Sequence, residues 1–276
     1  MSHPALESGR TAVVTGAASG IGLAACRRFA ALGMNVCMVD IDAQGLVAAR
    51  SQVTAAATGA ASEILAMTAN VASLSAMQNL KTAVYAKFGE VALLMNNAVT
   101  RTEGGCWDRY DEWQRAVDVN LWGVINGVQC FVPAMLAQAT PCAIVNCGSK
   151  QGITNPPGKP AYNMCKAALK AYTECLQHEL RNSGDCQISA HLLIPGWTTT
   201  GKREHVQGAW LPDQVIDFML IGLGDGDFYI LCPDDEVSLE MDRKRVLWAA
   251  NDIVDNRPPL SRWHSDYAEA FEKFSP

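Results

Sequence analysis

The sequence lacks the basic clusters that would hold a phosphate backbone. Its 276 residues include 22 Lys plus Arg and 28 Asp plus Glu, which gives a formal net charge of −6. Nucleic-acid binding depends on Lys and Arg gathered in a patch or stripe, whereas here the cations are scattered. The charge pattern therefore argues against nucleic acid as a partner.

Signals of export, membrane insertion and metal binding are also scarce. The segment 1–10 has no basic stretch followed by an apolar one, and we expect no apolar run to reach the roughly 18–20 residues of a membrane-spanning helix. The ten cysteines include no Cys-x-x-Cys pair and mostly stand in apolar stretches, where a free Cys acts as a small hydrophobe. The five His residues have no metal-ligand spacing. We expect a reduced, cytoplasmic protein with neither metal nor membrane partner.

What the chain does have is a regular alternation of short apolar segments and helical patterns. The apolar segments indicate strands buried on both faces, and parallel strands need a crossover that is usually a helix. We predict one α/β domain over 1–276, a doubly wound parallel sheet with helices on both faces. Its core spans about 10–233 and its C-terminal helix and tail span 234–276. Strands are predicted at 11–15, 35–39, 63–68, 91–95, 142–147, 187–194 and 228–231.

Helices are predicted between these strands and after the last of them. The final helix should bury a stripe of apolar side chains, and the aromatic tail beyond it packs either on its own core or on a neighbouring subunit. The predicted stripe consists of Val237, Met241, Val246, Leu247 and Ala250. The helices are predicted at 21–32, 43–57, 73–88, 112–138, 161–182, 212–220 and 236–252.

A glycine-rich turn closes the first predicted strand and opens the first helix. Gly16, Gly20 and Gly22 permit a tight turn and a close approach to a pyrophosphate, and the helix N-terminus offers free N–H groups to the phosphates. No Lys-Ser/Thr pair follows, which disfavours a nucleoside-triphosphate loop. A turn without any ligand is the alternative, but the position between strand and helix favours a phosphate site.

A carboxylate at the end of the second strand indicates which dinucleotide is bound. Asp40 lies 18 residues after Gly22, where it can accept both ribose hydroxyls of an adenosine and repel a 2′-phosphate. No Lys or Arg stands directly after it to hold that phosphate. The sequence therefore favours NAD over NADP, whereas Asp42 fits the role of a helix N-cap better.

A tyrosine and a lysine share one face of a predicted helix. Tyr162 and Lys166 are four residues apart, about one turn. A phenol has a pKa of about 10, too high for a base at neutral pH, and a neighbouring ammonium favours its ionised form. Ser149, at the end of the strand before this helix, can hydrogen-bond an oxygen whose charge changes during reaction. Taken singly, the pair could belong to an ordinary amphipathic helix and the serine could cap a turn.

Together these residues resemble the classical short-chain dehydrogenase/reductase family over most of the chain. The resemblance implies a seven-stranded Rossmann sheet in the order 3-2-1-4-5-6-7, a nicotinamide cofactor, and a homotetramer or homodimer. The motifs follow the family's order and are near its usual spacing. They are Thr15 to Gly22, Asn96 to Ala98, Asn120, Ser149, Tyr162 with Lys166, and Pro195 with Gly196.

The resemblance also implies a role for each matched residue. Tyr162 would be the general acid/base, and Lys166 would favour the ionised tyrosine and bind the nicotinamide ribose. Ser149 would orient the substrate oxygen, and Asn120 would hold a water in a proton relay through Lys166. The implied cofactor contacts are Gly16, Ser19, Gly20, Ile21, Gly22, Asp40, Asn70, Val71, Asn97, Ala98, Tyr162, Lys166, Pro195, Gly196, Thr198 and Thr200.

The chain departs from the family pattern at four positions. Val99 stands where the family usually has Gly, and a β-branched residue disfavours positive φ, so the chain should leave this strand in a more extended conformation. Gly148 replaces the first Ser of a Ser-Ser pair, Asn70 replaces an Asp, and Thr198 replaces a Val. None of these changes removes a catalytic group.

The pattern predicts an NAD-dependent oxidoreductase that moves a hydride between nicotinamide and a small secondary alcohol or ketone. Ile153, Trp197 and Trp210, on loops at the carboxyl edge of the sheet, are candidates for an apolar substrate pocket. Charged residues on these loops are interpreted as solvated side chains and not as a carboxylate clamp. They are Lys150, Lys159, Lys202 and Arg203.

Two alternatives stay open. One is an NAD-dependent epimerase or dehydratase of the extended branch, whose glycine spacing is normally Gly-x2-Gly-x2-Gly and differs from that of Gly16, Gly20 and Gly22. The other is a nucleotide-sensing protein on the same fold without turnover. The presence of the serine, the tyrosine and the lysine argues against the second.

Overall fold

Seven parallel strands form the centre of the computed structural model, which describes residues 2–58, 62–200 and 204–275. Their order across the sheet is β3-β2-β1-β4-β5-β6-β7, and every neighbouring pair is parallel. This order confirms the fold implied by the resemblance. The strands are β1 Thr11–Thr15, β2 Asn35–Asp40, β3 Ile64–Thr68, β4 Leu93–Asn96, β5 Cys142–Cys147, β6 Ile188–Ile194 and β7 Tyr229–Leu231.

Helices connect successive strands, as the parallel arrangement requires. A five-residue π-helical segment, Asp118–Trp122, joins α4 to α5, and the four-residue α6 was not predicted. The helices are α1 Gly20–Ala31, α2 Ala43–Ala56, α3 Leu74–Phe88, α4 Tyr110–Val117, α5 Gly123–Gln138, α6 Gln151–Thr154, α7 Pro160–Arg181, α8 Pro212–Asp225, α9 Leu239–Val254 and α10 Ala268–Lys273.

The sheet is buried on both faces, which explains the continuous apolar runs of its strands. Successive residues of a strand point to opposite faces. Val14 of β1 belongs to the core shared with α1, α2 and α8, whereas Val13 belongs to the core shared with α3, α5 and α7. Every residue of β1 and β5 is buried. Two apolar layers therefore hold the strands in register.

The connections leave the sheet in opposite directions on either side of the β1–β4 pair. Strands β2 and β3 extend to one side and β5, β6 and β7 to the other. In open α/β sheets, ligands bind outside the carboxyl ends of the strands at the place where the strand order reverses. The glycine turn after β1 and the residues after β4 lie at this point.

The helical run Tyr110–Gln138 corrects the expectation that no apolar run reaches membrane-spanning length. By length and composition it is long and apolar enough to cross a membrane. Half of its apolar window is nevertheless buried inside the protein, and Phe131 and Met135 belong to the core beside the sheet. Its apolar residues thus pack against the strands, as those of a core helix do.

The predicted apolar stripe on the last long helix is wrong. Leu247 is 45% exposed and Ala250 is exposed, whereas the buried positions of α9 are Asp242 and Trp248. The reason is that α9 packs mainly against α6 and the tail, and not as one more helix covering the sheet. Helical periodicity alone could not identify that partner.

The aromatic tail packs on its own chain. The Trp248 ring lies edge-on to Phe271 and Phe274, with centroids 5.3 and 5.4 Å away. The Arg257 guanidinium stacks 4.0 Å from the same ring, and the indole N–H donates to Ser261 at 2.8 Å. Trp248 therefore anchors the C-terminal extension.

Replacing this anchor should destabilise the protein. We expect Trp248→Ala to lower the free energy of unfolding by about 3–5 kcal/mol, because truncating a buried aromatic leaves a cavity. Trp107→Ala is the matched control, since Trp107 is 92% exposed and its loss should change stability by no more than about 0.5 kcal/mol. Denaturant unfolding measures both, and equal effects would contradict the packing described.

Candidate active site

In the glycine turn after β1, the backbone passes so close to its neighbours that a side chain does not fit at Gly16 or Gly22. Gly16 has a φ of +68° and Gly20 a φ of +56°, a conformation that favours glycine. A Cβ on Gly22 would lie 2.1 Å from the Gly16 carbonyl oxygen. The first N–H groups of α1, which begins at Gly20, have no partners within their helix and are available to an anion.

The turn is fixed to the end of β4. Asn97 donates from Nδ2 to the carbonyl oxygens of Thr15 and Gly16 at 2.9 and 3.2 Å. In return the Thr15 hydroxyl accepts from the backbone N–H groups of Asn97 and Ala98 at 2.9 and 3.1 Å. In this structure Asn97 and Ala98 therefore support the turn. Val99, the next residue, is not among the positive-φ residues of the described chain, in keeping with the extended exit expected of it.

The Asp40 carboxylate faces the same turn. Its Oδ2 accepts from the backbone N–H of Ala18 at 2.9 Å, and its Oδ1 accepts from that of Asp42 at 3.0 Å. These bonds hold the carboxylate at the end of β2, with the remaining lone pairs of both oxygens free to accept. Asp42 caps α2 through a bond from Gly45 N–H at 2.9 Å, which matches the role expected of it.

Asn70 and Val71 follow β3 at the same edge. The Asn70 side chain is exposed, and its Oδ1 accepts from Ala72 N–H at 3.0 Å. Val71 is buried, and its carbonyl accepts from Asn126 at 2.9 Å. Two successive strand ends, β2 and β3, thus border the glycine turn on one side.

A buried ammonium lies beside the candidate tyrosine. Lys166 is 3% exposed, and its Nζ donates to the Cys147 carbonyl oxygen at 2.6 Å. The same Nζ lies 5.7 Å from the ring centroid of Tyr162, which is half-buried. Burial raises the pKa of the Cys147 thiol and so keeps that group neutral. The field of a cation removed from water is weakly screened, so the tyrosine oxygen and any bound anion would experience it strongly.

Ser149 follows β5 and directly precedes the turn into α6, which packs on α7, the helix of Lys166. The short helix α6 packs so tightly on α7 that a Cβ on Gly152 would lie 2.5 Å from the Lys166 carbonyl carbon. The half-buried Ser149 accepts at Oγ from Gln151 N–H at 3.2 Å, which is the capping bond considered above. That bond leaves the hydroxyl proton free to donate.

Asn120 lies in the π-helical segment and is fully buried. Its Oδ1 accepts from Thr100 N–H at 2.7 Å, and its Nδ2 donates to the Thr100 carbonyl at 3.1 Å. The side chain thus ties the loop after β4 to the helix. Single π turns occur often at functional sites, and the water-holding role of Asn120 stays a prediction.

The loop after β6 completes the edge. Pro195 accepts at its carbonyl from Lys150 N–H at 3.3 Å, and Gly196 follows it. Thr198 donates back to the Gly196 carbonyl at 3.2 Å. Thr200 accepts at Oγ1 from Arg101 at 3.1 Å, which links this loop to the loop after β4.

The candidate pocket residues differ in their surroundings. Ile153 is half-buried and Trp197 is 46% exposed. The Trp210 ring packs against Phe218 of α8 at 5.9 Å, and its Nε1 donates to Asp235 at 3.0 Å. Ile153 and Trp197 are thus accessible at the carboxyl edge, whereas Trp210 holds its loop against α8.

Lys150 is a residue that the sequence analysis misjudged. Its side chain is only 15% exposed, and its Nζ is paired with Asp234 and Asp242, so the expectation of a solvated loop lysine is wrong. Burial raises the pKa of the Asp242 carboxyl, and Lys150 opposes that shift. The sequence spacing does not indicate this pairing, because the two carboxylates are more than 80 residues away from Lys150 in the chain. Lys202 and Arg203 lie outside the described residues.

Comparison with known proteins gives one family and many relatives. The short chain dehydrogenase family model matches residues 10–209. A Mycobacterium tuberculosis protein named as an oxidoreductase, SadH, is 35% identical over 62% of this chain and 61% of its own length, so the match spans less than two thirds of that relative. A 1-deoxy-11-beta-hydroxypentalenate dehydrogenase of Streptomyces exfoliatus is 29% identical over 92% of this chain and 94% of its own.

Solved structures share the fold and include both dinucleotides. A short-chain dehydrogenase/reductase of Burkholderia phymatum in complex with NAD superposes with a TM-score of 0.82, at 28% identity over 91% of this chain and 96% of that one. A metagenomic short-chain oxidoreductase in complex with NADP gives a TM-score of 0.69, at 28% identity over 82% and 98%. The relatives thus do not decide between the two cofactors.

The glycine turn predicts the effect of adding one methyl group. We expect Gly22→Ala to weaken binding of a nicotinamide dinucleotide at least about tenfold, because its Cβ would push the Gly16 carbonyl out of the turn. Gly105→Ala is the control, since the nearest atom to its Cβ would be at an ordinary 3.7 Å. Fluorescence titration with NADH measures both, and equal affinities would refute a nucleotide role for the turn.

Proposed function

The chain belongs to the short-chain dehydrogenase family, and on that premise we propose that it is an NAD-dependent dehydrogenase of a secondary alcohol, or a reductase of the matching ketone. Members of this family are oxidoreductases that use a nicotinamide cofactor and act on small molecules. The observation that carries the proposal is the buried Lys166 ammonium beside Tyr162, with Ser149 held on the adjoining turn.

The residues at the carboxyl edge fit a dinucleotide. The closeness of Gly22 to Gly16 supports a pyrophosphate site, since it leaves the backbone N–H groups uncovered by side chains. When bound, the cofactor supplies the acceptor or donor of the hydride. The residues that would hold it are Gly16, Ser19, Gly20, Ile21, Gly22, Asp40, Asn70, Val71, Asn97, Ala98, Tyr162, Lys166, Pro195, Gly196, Thr198 and Thr200.

In the proposed reaction the protein moves one proton. The Tyr162 oxygen takes the proton of the substrate hydroxyl during oxidation and returns it during reduction. Lys166 stabilises the ionised tyrosine through its charge. The Ser149 hydroxyl donates a hydrogen bond to the substrate oxygen, whose negative charge changes during the reaction. Asn120 would hold a water in the relay that returns the proton through Lys166 to solvent.

The preference for NAD rests on Asp40. Its carboxylate is fixed next to the turn by the bonds from Ala18 and Asp42, so it would accept hydrogen bonds from ribose hydroxyls. A 2′-phosphate at the same place would meet a fixed negative charge. The glycine turn itself, residues 16–22, contains neither Lys nor Arg to offset that repulsion.

The proposal extends to how the protein works in the cell. We take 1–276 as one catalytic unit that is cytoplasmic and has no nucleic-acid, membrane or metal partner. We also propose a homo-oligomer, a tetramer or a dimer. Large apolar side chains exposed on the π segment, α5 and α7 support this assembly. They are Trp122 (50% exposed), Leu136 (40%) and Met164 (42%).

Ile153 and Trp197 are proposed to contact the substrate, with Trp210 behind them.

A screen of secondary alcohols and ketones with Tyr162→Phe tests the reaction. With a competent substrate, we expect the variant to lose at least about a hundredfold in kcat while it still binds NADH, because only the proton acceptor is gone. Tyr172→Phe on the same helix is the control. Burial raises the pKa of Tyr172 to about 12, so its hydroxyl stays protonated and its loss should leave kcat unchanged.

The same screen separates the alternatives. Near-normal turnover by Tyr162→Phe would refute the assignment of the general base. An epimerase would convert its substrate without net change in NADH absorbance, and a nucleotide sensor would bind NADH without turning over any substrate.

Asp40→Ala tests the cofactor preference. We expect it to weaken NAD binding at least about tenfold, because hydrogen bonds to a charged group are lost. NADP should lose less affinity, or gain some, since the repulsion is removed. Asp42→Asn is the control, because Asn caps a helix as well as Asp does. The measurement is the dissociation constant for NAD and for NADP. An unchanged ratio of these two constants in Asp40→Ala would rule out the ribose role of Asp40.

A further inference from the structure

Three charged side chains form a buried cluster behind the candidate active site. Lys150 Nζ lies 3.1 Å from Asp234 Oδ2 and 2.6 Å from Asp242 Oδ2. The three side chains, here called the Lys150 cluster, are 15%, 2% and 4% exposed in that order. Charges this far from water are stable only when paired, so removing one partner has a large effect.

Each member of the cluster belongs to a different part of the chain. Lys150 directly follows Ser149, and its carbonyl accepts from the N–H groups of Ile153 and Thr154, which form α6. Asp234 follows β7, and Asp242 lies on α9 of the C-terminal extension. The cluster thus joins the serine turn to the last third of the fold.

The loop after β6 rests on this cluster. Asp234 Oδ2 accepts from Trp197 N–H at 2.9 Å, and Lys150 N–H donates to the Pro195 carbonyl at 3.3 Å. A Cβ on Gly196 would lie 2.3 Å from Asp234 Oδ2 and 2.8 Å from Lys150 Nζ. The backbone at 195–197 is therefore held by direct contact with these charged groups.

The other carboxylate oxygen of Asp234 is also engaged. Its Oδ1 accepts from Val237 N–H at 2.7 Å and from Glu236 N–H at 3.2 Å. These bonds fix the turn that leads into α9. Asp234 therefore orients two backbone segments at once, the loop at Trp197 and the turn at Glu236 and Val237.

We infer that Lys150 is a positioning residue, which uses Asp234 and Asp242 to fix both Ser149 and the 195–200 loop from the C-terminal extension. The inference rests on the proposed function, in which that loop holds the cofactor. We assign it the nicotinamide end, because β6 lies on the same side of the β1–β4 pair as β5, which leads to Ser149, whereas β2 with Asp40 lies on the other side. Lys150 itself has no role in substrate binding, since its ammonium is occupied by two carboxylates. The extension beyond β7 is on this account required for the reaction geometry.

Affinities for the whole cofactor and for its adenosine half can be compared, and this comparison distinguishes a positioning role of Lys150 from a general effect on stability. The adenosine half would lie at the glycine turn and Asp40, on the opposite side of the sheet's switch point from the cluster. Lys150→Met removes the cation that lies between the Asp234 and Asp242 carboxylates and next to Gly196, so the loop should shift. We expect NADH affinity to fall at least about tenfold and kcat/KM about a hundredfold, while ADP affinity changes less than about twofold.

Two further variants make the test specific. Asp242→Asn preserves shape, removes one charge and keeps the Lys150–Asp234 pair. We expect it to lower kcat/KM about tenfold, and it decides the matter if Lys150→Met does not fold. Lys170→Met is the matched control, because it breaks the Lys170–Glu174 pair at 2.7 Å, in which both side chains are about one third exposed. Such surface pairs contribute little, so its constants should equal those of the unchanged protein.

Each outcome has a defined meaning. Selective loss of NADH affinity and turnover in Lys150→Met or Asp242→Asn, with ADP affinity kept, supports the positioning role. If these variants only lower the melting temperature and match Lys170→Met in NADH affinity and turnover, the role is structural and the inference is wrong. If the unchanged protein binds no NADH and turns over no alcohol or ketone, the proposed function fails first, and this inference with it.

Discussion

The site depends on one ammonium group that is kept out of water. Lys166 is buried among β5, α6 and α7, and its hydrogen-bond partner is the backbone carbonyl of Cys147. Burying a cation is costly, and the tight packing of α6 on α7 holds it there. The same burial makes its field strong at the tyrosine one helical turn away. The burial that is unfavourable for stability is thus also the feature on which the proposed role of Tyr162 depends.

The parallel sheet brings the other groups to that ammonium. Because all strands run the same way, their carboxyl ends share one edge, and each of β1 to β6 ends in a residue of the candidate site or is followed by one within two residues. Thr15 and Asn97 bind the two strand ends at the switch point to each other. The glycines remove side chains where the backbone must pass close to itself. Strand ends and the short turns that follow them suit a reaction that needs accurate placement of its groups.

The C-terminal extension supplies the carboxylates that pair with a second buried cation, Lys150. Lys166 is bonded to a carbonyl, whereas Lys150 is bonded to two carboxylates, so the first retains its influence on neighbours and the second is neutralised. The roles proposed for the two lysines differ accordingly: Lys166 acts through its charge, and Lys150 acts by holding backbone segments in place. Trp248 and its aromatic partners secure α9, and α9 in turn carries Asp242 toward the serine turn.

The strand–helix alternation could be predicted from the sequence alone, because burial on both faces leaves continuous apolar runs. β1 and β5 were predicted at their observed ends, and the motif residues lie at the strand ends where the alternation put them. The sequence pattern did not reveal the π turn at Asn120, because the predicted helix over 112–138 runs through it without a break. It also did not reveal which face of α9 is buried. Only the tertiary structure brought Lys150 to Asp234 and Asp242. Periodicity reports neighbours three or four residues away, whereas an ion pair between distant segments forms only where the folded chain returns on itself.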